Sequence, residues 1–311
     1  MIKRSSFVLL SVTALAAATA FAPALTAAEA HKKVLYFNKS SGYEHSVIKR
    51  QNGQPAFSEK ILAELGPKYG IDFTFSKDGS LFTPEYLAGF DAYVFYTTGD
   101  LTSVGADGNP AIPVAGKQAL LDAVAHGKGF VGIHSASDTF HTGEPGGTNP
   151  KDISGRYKND GDAADPYIKM LGGEFIKHGA QQVAKVKLID PKFPGAAGLD
   201  GWAVQEEWYS LKNFAPNLHV ILALDTTGMK GNEYKRGPFP STWAHSYEKG
   251  RVFYTEMGHR EDVWENPKFQ QLLFGGLSWA LGEVEADVTP NLQQATPQAN
   301  DIPPRTPPAK K

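Results

Sequence analysis

Three short stretches, Lys33–Asn38 (KVLYFN), Ala92–Thr97 (AYVFYT) and Phe130–His134 (FVGIH), are apolar almost throughout instead of alternating, as parallel strands covered on both faces are. Between them apolar positions recur at helical spacing. Phe57, Ile61, Leu62 and Leu65 form one stripe and Leu120, Leu121, Val124 and Ala125 another, each ending near a glycine. This alternation predicts a doubly wound α/β fold, with a mainly parallel sheet, helices on both faces and Phe130–His134 as a central strand. Farther along, Val183–Ile189, Val220–Leu224 and Arg251–Thr255 read as strands. A last helix is marked by Asn266 as cap, Pro267 in the first turn, and Phe269, Leu272, Leu273, Leu277 and Leu281 on one face. From Thr139 to Leu218 the pattern supports only short elements, an elaborated middle segment laid over the active edge of the sheet.

The two ends differ from this core. Lys3 and Arg4 precede an apolar, Ala-rich run that stops at Ala28-Glu29-Ala30, so residues 1–30 read as a secretory signal, cleaved to leave His31 first in the bacterial periplasm. Ser11, Thr13, Thr19 and Pro23 interrupt the run, and stable membrane insertion after cleavage is not expected. Residues 286–311 are rich in Pro with Gln, Asn and Thr and predict a disordered tail, which leaves the α/β domain at 31–285.

Composition removes several functional classes. The 311 residues carry 31 basic and 33 acidic side chains, a formal net charge of −2, with no electrostatic footprint for nucleic acid. Cysteine is absent, which excludes thiol nucleophiles, disulfides, zinc-thiolate sites and iron–sulfur clusters. Any metal must be held by imidazoles, carboxylates, carbonyls or water.

In an open α/β sheet ligands bind beyond the carboxyl ends of the strands, so functional residues follow apolar runs directly. Three histidines do so. His45 lies in the polar loop after the first strand, His134 follows Phe130–Ile133 with Asp138 just beyond it, and His259 follows Arg251–Thr255. His134 sits between Gly132 and Ser135-Ala136, the small neighbours a tight strand-to-helix turn needs when it presents one side chain to a pocket. Ser135 lacks the G-x-S-x-G frame of a nucleophilic serine. Gly172-Gly173 is expected to end a helix and leave His178 in an irregular stretch. Gln205-Glu206-Glu207-Trp208-Tyr209 joins carboxylates to aromatics, a mixture that stacks a sugar ring while binding its hydroxyls. In a strand, Glu207 and Tyr209 would share the pocket face. Trp243 and His245 are candidates for a further wall, whereas His31, His126, His141 and His219 have no comparable context. The expected catalytic set is His134, Glu207 and His259, with His45, Asp138, His178, Trp208, Tyr209, Trp243 and His245 binding substrate.

The order of G-I-H-S-A-x-D at His134, G-G-x-F-x-x-H at His178, E-E-W-Y at Glu207, and W-A-H then G-R-V-F-Y-T-x-x-G-H from Trp243 to His259 resembles the ThuA-like family, named for trehalose utilisation. The likeness runs from about Lys33 to Leu281. It implies the flavodoxin-like fold of class I glutamine amidotransferases and a role near sugar catabolism, often beside the oxidation of glycosides to 3-keto sugars. Where those amidotransferases carry a cysteine at the elbow, this chain has His134, and His259 and Glu261 stand where their other two catalytic residues would be. Loss of the thiol removes glutamine hydrolysis by that route. The expected partner is therefore a small-molecule carbohydrate, and the oligomeric state stays open. Two mechanisms fit the residues: proton transfer by imidazoles and Glu207, or Zn²⁺ or Mn²⁺ held by two or three of His134, His178 and His259. No close-spaced ligand pair such as H-E-x-x-H favours the second. The rival readings are a non-catalytic sugar-binding protein and a hydrolase of unoxidised glycosides, which needs two carboxylates about 5–10 Å apart.

Overall fold

The computed structural model describes residues 30–143 and 153–305, so the expected signal lies outside the described residues. The expected strands form where the apolar runs lie. β1 (Lys32–Phe37), β2 (Ile71–Ser76), β3 (Ala92–Phe95) and β4 (Gly129–Ile133) alternate with α1 (Phe57–Leu65), α2 (Pro84–Ala88) and α3 (Val114–Ala125). The middle segment supplies α4 (Pro166–Leu171), β5 (Glu174–His178), β6 (Gln182–Leu188), β7 (Ala203–Glu206) and β8 (Tyr209–Lys212). After it come β9 (His219–Asp225), β10 (Phe239–Tyr247), β11 (Gly250–Thr255), α5 (Glu261–Trp264), α6 (Pro267–Ala280) and α7 (Leu292–Ala295).

Nine strands make one mixed sheet in the order β2-β1-β3-β4-β11-β10-β9-β6-β7, and β5 pairs with β8 in a second, two-stranded sheet. The five strands from β2 to β11 run parallel, with β4 between β3 and β11 and its Phe130 and Val131 fully buried. From β11 outward the pairings are antiparallel. Neighbouring residues on a strand face opposite ways. Phe253 of β11 meets Gly276 of α6, while Tyr254 crowds Gly132 against Leu171 of α4, so helices cover both faces. A Cβ on Gly132 would come within 2.7 Å of Leu171 and 2.9 Å of Tyr254. α6 starts as its sequence requires: the Asn266 side chain accepts from the Lys268 N–H at 2.9 Å, with Pro267 next.

Two expectations need correction. Gly172, at φ +93°, does end a helix, but the chain then enters β5, so His178 closes a strand instead of lying in irregular backbone. The tail is not disordered over its described part. Leu292 and Ala299 are buried, and the Asn291 side chain bonds both backbone groups of Val220, at 2.6 and 3.1 Å. Arg236 donates to the carbonyl of Ala299, and the Asn300 side chain accepts from the Phe214 N–H at 3.1 Å. Polar composition hides this packing because the few apolar residues of the tail, Leu292 and Ala299 among them, are joined by amide side chains that bond backbone. Among the described residues no helix is long and apolar enough to cross a membrane.

Candidate active site

The parallel half of the sheet brings three loop histidines to one edge. His45 follows β1, His134 follows β4, and His259 follows β11 through Gly258. His134 has φ +46°, a left-handed backbone rare for a side chain with a Cβ, and heads a tight turn that runs to Asp138. The turn is bolted from below: the Tyr254 hydroxyl donates to the His134 carbonyl at 2.7 Å, and the Ser137 hydroxyl does so at 3.2 Å. Gly258 has φ +119°, and its N–H and that of His259 both donate to the buried Glu206 carboxylate, at 2.9 and 3.1 Å.

Glu207 lies at a crossing. The chain leaves the large sheet at Glu206, the end of β7, and enters the small one at Tyr209, the start of β8. Between them Glu207 projects its carboxylate into the ring of imidazoles. Its Oε2 stands 3.1 Å from His259 Nδ1, 3.7 Å from His134 Nε2 and 3.9 Å from His45 Nε2, and its Oε1 3.3 Å from His178 Nδ1. The rings of His45, His134 and His259 meet edge to face at centroid distances of 5.0 to 5.3 Å. A cleft of about 380 Å³ opens on this group, lined by Tyr43, His45, Asp138, Phe175, His178, Gln181, Glu207, Tyr209 and His259. A larger cavity of about 550 Å³, with Asp162, Lys169 and Phe214 among its walls, contains none of the histidines.

The environment sets each group differently. Burial raises the Glu207 carboxyl, but the imidazoles of His134, His259 and His178 facing it outweigh that and hold it far below the usual range. Burial, and then the neighbouring imidazoles His134 and His259, push His45 well below its ordinary value. His259 goes the other way: burial disfavours its charge, but the hydrogen bond and charge of Glu207, with Glu206 and Glu261, raise it. Burial raises Glu206 and, more strongly, Glu256, and each then accepts from backbone N–H groups beside the site. The cleft thus holds an ionised carboxylate, a neutral imidazole and an imidazole biased toward its charged form.

His45, Asp138, His134, His178, Glu207, Tyr209 and His259 come together as expected. Trp208, Trp243 and His245 do not. Trp208 is fully buried and donates its indole N–H to the Gln182 carbonyl at 3.1 Å. Trp243 stacks on Tyr254 at 4.2 Å and donates to the Leu171 carbonyl at 2.8 Å. His245 is two residues on, on the same face of β10, and both crowd Gly172 below the sheet instead of facing the strand ends. Glu261 is drawn aside as acceptor for the Ser46 hydroxyl at 2.6 Å.

His141, without distinguishing context in the sequence, also belongs to the site's surroundings. It is buried beside the cleft, donating from Nε2 to Asp138 at 2.5 Å and from Nδ1 to Glu174 at 2.9 Å. Burial lowers it, but the two carboxylates outweigh that and raise it. Arg156 also reaches Asp138, at 3.3 Å, and lies over Phe175 at 5.4 Å. The available signal is Asp138 three residues before His141, near enough in the chain to meet it, here across extended Thr139 and left-handed Phe140 and not a helical turn.

Solved structures share this fold. One is described as a putative ThuA-like protein from Bacteroides uniformis, 18% identical, with a TM-score of 0.52 over 84% of this chain and 95% of that one. Another, with the same description, is from Parabacteroides merdae, 20% identical, with a TM-score of 0.54 over 88% and 96%. No curated protein sequence matches significantly. The family model described as ThuA, trehalose utilisation, matches residues 33–280, which span the parallel strands, the crossing at Glu207 and all four cleft histidines. The chain belongs to the ThuA family.

Proposed function

We propose that this protein is a periplasmic carbohydrate-processing enzyme acting on oxidised, 3-keto glycosides by proton transfer between imidazoles and Glu207. The observation that carries the reading is one carboxylate within 4 Å of four imidazoles in an open cleft. Such a group can take a proton at one position and return it at another. Support for the carbohydrate comes from the family description and from Tyr209, Phe175 and Tyr43, which offer flat apolar faces beside polar groups. The location rests on the N-terminal segment alone.

In a 3-keto glycoside the carbon next to the carbonyl carries an acidic hydrogen. His134 is oriented as the base. Its Nδ1–H is spent on the Glu256 carbonyl at 2.7 Å, which leaves Nε2, facing Glu207, as the position that takes up a proton. Removal of the C2 proton sends the C–H electron pair to the keto oxygen as an enolate. Its collapse forms the C1–C2 double bond and breaks the C1–O glycosidic bond. His259, held toward its charged form by Glu207, protonates the leaving oxygen. Asp138, fixed by His141 and Arg156, has a carboxylate at the cleft wall for sugar hydroxyls.

Incubating the protein with a 3-keto disaccharide and its unoxidised parent, with NMR of the products, tests this. Cleavage of the keto form alone is expected. Binding without turnover would favour a sugar-binding protein, and turnover of the parent sugar an ordinary glycosidase.

A further inference from the structure

We infer that His45, His134, His259 and Glu207 form a binding site for one divalent transition-metal ion of the zinc or manganese class. One ligand atom from each of the four lies within 4.8 Å of all the others. Three inward ring nitrogens converge on a single oxygen, Glu207 Oε2, at 3.1, 3.7 and 3.9 Å. Ligands bound at about 2.1 Å in a tetrahedron stand about 3.4 Å apart, so small side-chain shifts close the set on an ion. Three imidazoles with a carboxylate suit zinc and its first-row neighbours, and an ion held by all four takes a further ligand from the cleft only by expanding to five-coordination.

A second observation is independent of that spacing. His134 donates Nδ1–H to the Glu256 carbonyl at 2.7 Å, the outer contact that orients a metal-bound imidazole. Its Nε2, fully buried and without a hydrogen-bond partner among the described residues, is aimed at a carboxylate oxygen 3.7 Å away and in the neutral ring is a bare lone pair. Two electron-rich atoms facing each other in a buried place repel unless a proton or a cation lies between them. His45 is also buried, with Nε2 turned to the cluster. Gln181 stands 2.9 Å from the outer nitrogen of His259 and, by turning over its amide, would accept the Nε2 proton of a metal-bound ring.

The ion's binding stands on these atoms alone; its role rests on the proposed function. There it would polarise the keto oxygen and stabilise the enolate. His134, His259 and Glu207 would then act as its holders, and His178, the cleft imidazole outside the set, would carry the proton.

The full chain, freed of metal with a chelator and dialysed, is titrated with Co²⁺ and followed by visible absorption, with Zn²⁺ as competitor and metal content measured by mass spectrometry. One equivalent is expected, displaced by Zn²⁺, with affinity reduced at least about 100-fold in His134→Ala and in Glu207→Gln. Glu207→Gln keeps the side-chain shape and carries the test should His134→Ala fail to fold. His126→Ala, on the exposed end of α3, should bind as the parent does. Equal binding by parent and Glu207→Gln, or none by the parent, overturns the site. Full turnover of the 3-keto disaccharide by metal-free protein would overturn the ion's role and leave the proposed function standing. Stoichiometric binding without turnover would leave the site standing and overturn the proposed function, and with it the ion's role there.

Discussion

His134 is held by two opposed constraints, a left-handed backbone and an Nδ1–H committed to the Glu256 carbonyl, and together they aim one nitrogen at Glu207. A positioned acid or base contributes a factor of about 10² to 10⁴ in rate. Glu207→Gln, which keeps the shape but not the charge, should lower kcat by that factor with the far-UV spectrum unchanged; a kcat within twofold of the parent would remove Glu207 from the mechanism. His245 tests a different residue. It is buried on β10, and burial, only partly offset by nearby backbone carbonyls, lowers its pKa to about 4. In the unfolded chain it takes a proton near pH 6.5. As pH falls from about 6.5 to 4 the unfolded state binds a proton that the native state refuses, so stability drops by about 3 kcal/mol, and above pH 6.5 this loss is absent. Urea midpoints of His245→Gln should therefore depend less on pH across that window than those of the parent; parallel curves would show that His245 does not titrate this way. The residues legible in the sequence were those placed by topology: His45, His134 and His259 each follow a strand. Trp208, Trp243 and His245 were misassigned because aromatic and imidazole side chains serve a core as well as a pocket, and only the face of the strand decides. His141 was overlooked because its partner Glu174 is 33 positions away.

At the scale of elements, the apolar runs that became β1, β3, β4, β9 and β11 were readable because each is buried on both faces. β5 and β8 were not, since each pairs only with the other and carries Glu174, Lys177 and Lys212 among its apolar residues. α7 and the chain around it were hidden for a related reason. Asn291 substitutes for a strand by bonding the N–H and the C=O of Val220, while Leu292 and Ala299 are buried in the core. Removing residues 286–311 strips these contacts. Burial of a Leu contributes about 1.5–3 kcal/mol and each hydrogen bond about 1, so the truncated chain should lose on the order of 3 kcal/mol or more. A chemical denaturation curve indistinguishable from that of the full chain would show that the tail contributes nothing.

Across the whole molecule, the parallel strands deliver histidines to one edge and the antiparallel extension folds back to deliver Glu207. The order of strands, β4 beside β11 and β3 with β1 next, makes neighbours of residues more than two hundred positions apart. The His141 bridge shows the same convergence, tying the turn after β4 to β5 through Asp138 and Glu174. Breaking a buried charged pair costs about 3–5 kcal/mol, so His141→Ala should lower stability by that order and also raise the KM for sugar more than it lowers kcat, because Asp138 loses its orientation. An unchanged KM would confine His141 to a structural role. The claim on which all of this converges is that the cleft moves a proton at the carbon beside a keto group. Its most direct measurement is the rate at which a 3-keto disaccharide takes up deuterium at C2 in D₂O, followed by proton NMR with and without protein. Catalysed exchange or loss of that signal is expected with the parent protein, reduced at least about 100-fold by Glu207→Gln. Exchange no faster than in buffer alone would contradict it.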